Sequence, residues 1–191
     1  MLSLSEQDRR AILAAARQGV SYAAQNGRPG PARSKEGIFA QPCGLFVSLH
    51  VSGKLRGCIG MVEARETLGE NLAQCSADAA LHDPRFSPLR AKELEHLEIE
   101  VSLLTPLYPL QPEEVEIGKH GLLVERDTRR GLLLPQVATE HHLTREQFLA
   151  ETCFKAGLPR DAWKEPETRL YGFECVVVAE KEATQKEKPA T

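Results

Sequence analysis

Of five cysteines, at positions 43, 58, 75, 153 and 175, one sits in unusual company. Leu55-Arg56-Gly57-Cys58-Ile59-Gly60 sets a thiol between two glycines and two residues from an arginine. Glycine weakens a strand interior, so such a pair marks a bulge or a place where another group comes close to the backbone. In a regular strand Arg56 and Cys58 share one face, and a cation beside a thiol favours the thiolate. Read as chemistry, Cys58 is a nucleophile or redox thiol and Arg56 its activating cation and anion anchor. The amides around Gly57 and Gly60 would then stabilise an oxyanion. Read as structure, Cys58 is a small buried hydrophobe and Arg56 pairs with a carboxylate.

Leu81-His82-Asp83-Pro84-Arg85-Phe86 gathers an imidazole, a carboxylate and a guanidinium at one helix end. Asp83 can orient Arg56 or a ligand, and His82 can move a proton near neutral pH. Arg85 together with Arg56 suits a carboxylate or phosphate. The plainer reading is a capped helix terminus, with His82 near the C-terminal dipole and Asp83–Arg85 a local pair. Gly118-Lys119-His120-Gly121 is a candidate for a turn that reaches a cleft, with His120 as base to a thiolate, or else an ordinary hairpin tip. Cys75, Cys153 and Cys175 read as core.

Other chemistries find no support. No two cysteines lie within four residues, and the count is odd, which argues against disulfides, a zinc knuckle and a radical iron–sulfur triplet. His141-His142 lacks a third ligand at metal spacing. No Gly-Lys-Ser/Thr loop or Gly-x-Gly-x-x-Gly turn is present, so no nucleotide, cofactor or metal is expected. The net charge is −3, and the one basic knot, Arg126-Asp-Thr-Arg129-Arg130, reads as a turn, which argues against nucleic acid as a partner. Without an apolar run of membrane length or a secretion signal, the chain is expected to be soluble and cytoplasmic.

The elements that would hold these residues follow from pattern. Ser5-Glu-Gln-Asp8 and Thr67-Leu-Gly-Glu70 open helices with capping boxes. Residues 26–42, rich in glycine and proline, read as a loop. Leu45 to Val51 alternates as a strand and returns through Ser52-Gly53-Lys54 into the cysteine segment, a hairpin. A short helical turn through Glu93 precedes a strand over Leu97–Leu103. Prolines 106, 109 and 112 mark the border of a smaller lobe. Val115–Glu125 and Leu132–Leu134 read as strands around a turn at Arg129-Arg130-Gly131. Thr144 caps a helix that Gly157 stops, Leu170–Val178 is the last strand, and the charged residues 181–191 are expected to be disordered. This order predicts an α+β fold with a largely antiparallel sheet flanked by helices.

The blocks Gly44-Leu-Phe-Val-Ser-Leu49, Leu55-Arg-Gly-Cys-Ile-Gly60, Asp83-Pro-Arg-Phe86, Glu100-Val-Ser-Leu-Leu-Thr105, Gly118-Lys-His-Gly-Leu122, Leu134-Pro-Gln-Val137 and Lys155-Ala-Gly-Leu158 with Trp163 occur in the order found in one family. Together they closely resemble the AMMECR-one domain, over about residues 8–179, and most of all protein A of the AmmeMemoRadiSam set. The resemblance implies a single domain over 1–180, with a larger lobe of about 1–105 plus 140–180, a smaller lobe of about 106–139, and a cleft between them that the signature block faces. It implies a Memo-like protein and a radical S-adenosylmethionine protein as partners, in a modification or biosynthetic step. It places Arg56, Gly57, Cys58 and Gly60 at the site, with Asp83, Arg85 and His120 on the same wall or the facing lobe. The alternative is a binding or scaffold module that holds a small anionic ligand or partner protein without reaction.

Overall fold

The computed structural model describes residues 4–31, 36–64 and 66–180. The chain divides into two units: Thr105–Cys175, and Leu2–Leu104 together with the chain from Val176 onward.

The second of these begins with helix α1 (Glu6–Asn26), opened by the expected capping box of Ser5 and Asp8 and closed by Gly27 in the left-handed region (φ 66°). The loop expected over residues 26–42 is interrupted by a short 3-10 helix at Gly37–Ala40. Strands β1 (Gly44–Val51) and β2 (Lys54–Met61) form the expected hairpin. Its turn, Ser52-Gly53, has positive φ at both residues, which matches the twist of paired strands. Helix α2 (Leu68–Leu81) starts at the Thr67/Glu70 box. A 3-10 turn at Ala91–His96 leads into β3 (Leu97–Leu104), antiparallel to β1. Leu45, Val47 and Leu49 of β1 and Ile99, Val101 and Leu103 of β3 bury one sheet face in a core with Ile12, Val20 and Leu72 of α1 and α2. The other face carries Phe46, Ser48 and His50.

The unit Thr105–Cys175 holds the short strand β4 (Tyr108–Pro109), β5 (His120–Arg126), β6 (Arg129–Leu133), helices α3 (Pro135–Glu140) and α4 (Arg145–Lys155), and most of β7 (Arg169–Ala179). β5 lies antiparallel between β6 and β7, and β4 pairs with β7. Phe148 and Leu149 of α4 pack on Leu122 of β5, and Cys153 and Ala156 pack with Val124. That packing corrects the expected lobe boundary, because α4 and residues 140–175 share a core with β5 instead of joining the larger lobe. Three local readings also change. Residues 115–119 are no strand, since Gly118 (φ 84°) turns the chain and the amides of Lys119 and His120 both donate to the Glu116 carbonyl. The turn expected at Arg129-Arg130-Gly131 falls instead on Asp127-Thr128, with both arginines inside β6. Helix α3 was not expected. The end of β7 is clasped by Glu180, which accepts from Arg17 Nε (2.5 Å) and Nη2 (2.6 Å) and from the Ile99 amide (2.8 Å). The charged tail, residues 181–191, lies outside the described residues.

Candidate functional site

Cys58 lies midway along β2 and is half-buried. Its register partner is Ser48, and Ser48 in turn pairs with Glu100, so the three side chains share the sheet face away from α1 and α2. The Cys58 amide does not donate to β1; it donates to Asp83 Oδ2 at 2.8 Å. Ser48 and Cys58 are therefore a non-hydrogen-bonded pair, whose side chains approach closely, and Ser48 Oγ donates to Cys58 Sγ at 3.3 Å.

Just past the end of α2, Asp83 gathers this edge of the sheet. Its carboxylate also accepts from Arg85 N (3.1 Å), Nε (2.9 Å) and Nη2 (2.7 Å), while Arg85 Nη2 reaches back to the Cys58 carbonyl at 3.4 Å. The Asp83 side chain is only 2% exposed, whereas that of Arg85 is 55% exposed. Hydrogen bonds from Arg85 hold the Asp83 carboxyl well below the usual range, against the opposing effect of burial. Arg85 is raised, first of all by its side-chain hydrogen bonds to Asp83. The cation that reaches Cys58 is therefore Arg85, through the carbonyl.

Arg56 is committed elsewhere. Its Nε and Nη2 grip Glu93 (2.7 and 3.2 Å), and two further hydrogens go to the carbonyls of Ser87 (2.8 Å) and Pro88 (3.3 Å). Of the two roles open in the sequence, that is the carboxylate-paired one, and the carboxylate is Glu93, not Asp83. The Phe86 ring stands near both guanidinium groups, 6.0 Å from Arg56 Cζ and 5.4 Å from Arg85 Cζ.

The glycines of the signature block answer to packing. A Cβ on Gly57 would collide with the Ala79 carbonyl of α2, and one on Gly60 with Leu45 O and the Phe46 ring. His82 stays at the helix end, with Nδ1 at 2.8 Å from Asp78 Oδ1. His120 belongs to the unit Thr105–Cys175, where it is buried at the start of β5. Burial raises Cys43, Cys75 (to about 12) and Cys153, so these thiols are held protonated. Ser48 and Glu100 were missed as site residues; the signal was there, since the alternation of Leu45, Val47 and Leu49 assigns Ser48 to the face of Cys58. Among the described residues no group of three His, Cys, Asp or Glu is placed to hold a metal, and no helix is long and apolar enough to cross a membrane.

An antiparallel α+β protein with a cysteine on an edge strand, flanked by a serine and an Asp-anchored arginine, is the class these observations define. The AMMECR1 family model matches residues 13–178, and the chain belongs to that family. It is 46% identical over 150 residues to a protein of Methanothermobacter thermautotrophicus, covering 75% of this chain and 78% of that one. It is 40% identical over 189 residues to a protein of Methanosarcina acetivorans, covering 94% of each. The crystal structure of the uncharacterized protein PH0010 from Pyrococcus horikoshii superposes with a TM-score of 0.84 at 34% identity, covering 91% of this chain and 92% of that one.

Proposed function

We propose that Cys58 is a nucleophilic thiol that acts on a substrate carrying an anionic group, in a modification or biosynthetic step carried out with a Memo-like protein and a radical S-adenosylmethionine protein. The observation that carries the chemical part is the setting of one half-buried sulfur: the Ser48 hydroxyl donates to it at 3.3 Å, and the guanidinium of Arg85, fixed by Asp83, reaches the carbonyl of the same residue at 3.4 Å. A hydroxyl and a cation both stabilise a thiolate more than a thiol. Arg85 Nη1 makes no hydrogen bond among the described residues, which leaves one edge of the fork for a carboxylate or phosphate of the substrate. The partners rest on the family resemblance alone.

Alkylation of Cys58 by iodoacetamide at pH 7, read residue by residue by mass spectrometry, tests the thiol. Arg85→Gln is expected to slow labelling of Cys58 about tenfold, the weight of one lost charge-assisted contact, and to leave Cys175 unchanged. Equal rates in the two proteins would overturn the proposal.

A further inference from the structure

Helix α4 presents two faces. Phe148, Leu149, Thr152 and Cys153 turn inward and are buried. Glu151, Phe154 and Lys155, at i, i+3 and i+4, share another face. On it Phe154 is 61% exposed, more than any other large apolar residue among those described. A single exposed ring needs no explanation, but this one borders a cavity of about 630 Å³. Leu133 from the end of β6, Val137 of α3 and Leu143 just before α4 complete its apolar wall. Each of these three is only partly buried against the core of Leu122, Phe148 and Leu149, so the cavity wall continues that core outward. The lining belongs wholly to the unit Thr105–Cys175. A hollow of this size suits a small molecule.

The charges at the cavity are unequal. Glu151 is taken by Arg160, whose guanidinium also stands over the Phe154 ring, 4.6 Å from Cζ to the centroid. That pair is neutral as a unit. His141 brings ring nitrogens and no negative charge. Lys155 makes no ion pair or hydrogen bond among the described residues, so it sets the local sign. A positive rim attracts an anion. One unpaired ammonium answers one carboxylate, and an exposed aromatic ring pairs well with a second ring.

We infer that this cavity binds a small monocarboxylate with an aromatic body, its ring against Phe154, Val137 and Leu143 and its carboxylate on Lys155 Nζ. Nothing in this depends on the thiol chemistry, and Cys58→Ser is expected to leave it intact. The test is NMR of the leucine and valine methyl groups in the full-length protein at pH 7, titrated separately with 3-phenylpropionate, 3-phenylpropanol and acetate. The expected result is a saturable shift at Leu133, Val137 and Leu143 with 3-phenylpropionate. The alcohol should bind about tenfold more weakly, the weight of one charge-assisted contact, and acetate should give no shift. Lys155→Gln is expected to bring the acid down to the level of the alcohol and leave the alcohol unchanged, while Lys155→Arg keeps the acid. Phe154→Ser should weaken acid and alcohol alike. Both side chains are exposed, so these variants do not threaten the core. No saturable shift, equal affinity for acid and alcohol, or indifference to Lys155→Gln would each overturn the inference. Tighter binding of an acetylated tripeptide ending in phenylalanine than of the free acid would also overturn it, in favour of a peptide terminus.

Discussion

Asp83 does more than any other single side chain at the Cys58 edge. One nearly buried carboxylate satisfies the outward amide of Cys58 and fixes three donors of Arg85. Asp83→Asn keeps the shape but removes the charge that holds the guanidinium, and an amide cannot accept at both positions. It is expected to cost about 2 kcal/mol in stability, the range for hydrogen bonds to a charged group, measured by urea denaturation, and to slow Cys58 labelling as Arg85→Gln does. Unchanged stability together with unchanged labelling would show that Asp83 anchors nothing. At this scale the sequence was legible in part. Asp83, Arg85 and Cys58 could be named because their residue types are rare in such settings. Which arginine reaches Cys58 could not, since it depends on Glu93, 37 positions from Arg56, capturing that guanidinium first. His120 was read as an exposed turn residue because its glycine neighbours resemble a hairpin tip; the strand that begins at His120 buries it instead.

Helices α1, α2 and α4 and the β1–β2 hairpin were readable because each carries its own punctuation: a capping box, a left-handed glycine or a two-residue turn. The strand limit at 129–131 was misplaced because alternation alone cannot locate a turn whose positive φ falls on Asp127 in place of a glycine, and the one at 115–119 because the apolar pattern runs through the turn at Gly118. The signature block gains a second meaning at this scale. Gly57 lets β2 lie directly against α2, and since a Cβ would meet the Ala79 carbonyl, neither backbone can give way cheaply. Gly57→Ala is expected to destabilise the protein by about 3 kcal/mol, the upper end for overpacking, whereas Gly53→Asn in the open turn should stay within about 0.5 kcal/mol. Thermal unfolding of the two variants checks this; equal midpoints would remove the packing account of the block.

The two units carry separate cores and different titrating groups. The folded pKa of His120 is depressed below 6.5, so the neutral ring's contribution is full above that value and declines as pH falls through it. Asp83 and Glu93 are depressed from 3.8 and 4.5, held down chiefly by hydrogen bonds from Arg85 and Arg56, and their contributions are full above those ordinary values and are lost as pH falls from there toward the lower ones. On acidification from pH 7, amide protection in Thr105–Cys175 is therefore expected to weaken first, from about pH 6 downward, and that of the β1–β2 hairpin only below about pH 4. Hydrogen exchange corrected for intrinsic rates reads both; simultaneous loss at one pH would contradict the assignment. The first change of unit, between Leu104 and Thr105, adjoins the proline-rich stretch that begins at Pro106. The return point was not legible, because β7 passes from one unit to the other without a break in its pattern.

Thr105 and Glu174 meet through a double tie, Thr105 N to Glu174 O at 2.9 Å and Glu174 N to Thr105 Oγ1 at 2.8 Å. The polypeptide thus leaves on its excursion and comes home at one spot, and each of the three clusters of buried apolar residues draws its members from one part alone. A shortened gene in which a few glycines bridge that spot should still encode the hairpin, both long helices and the Cys58 edge, while the excised stretch, its two ends already knotted together, is a candidate for independent life as a protein of about 70 residues.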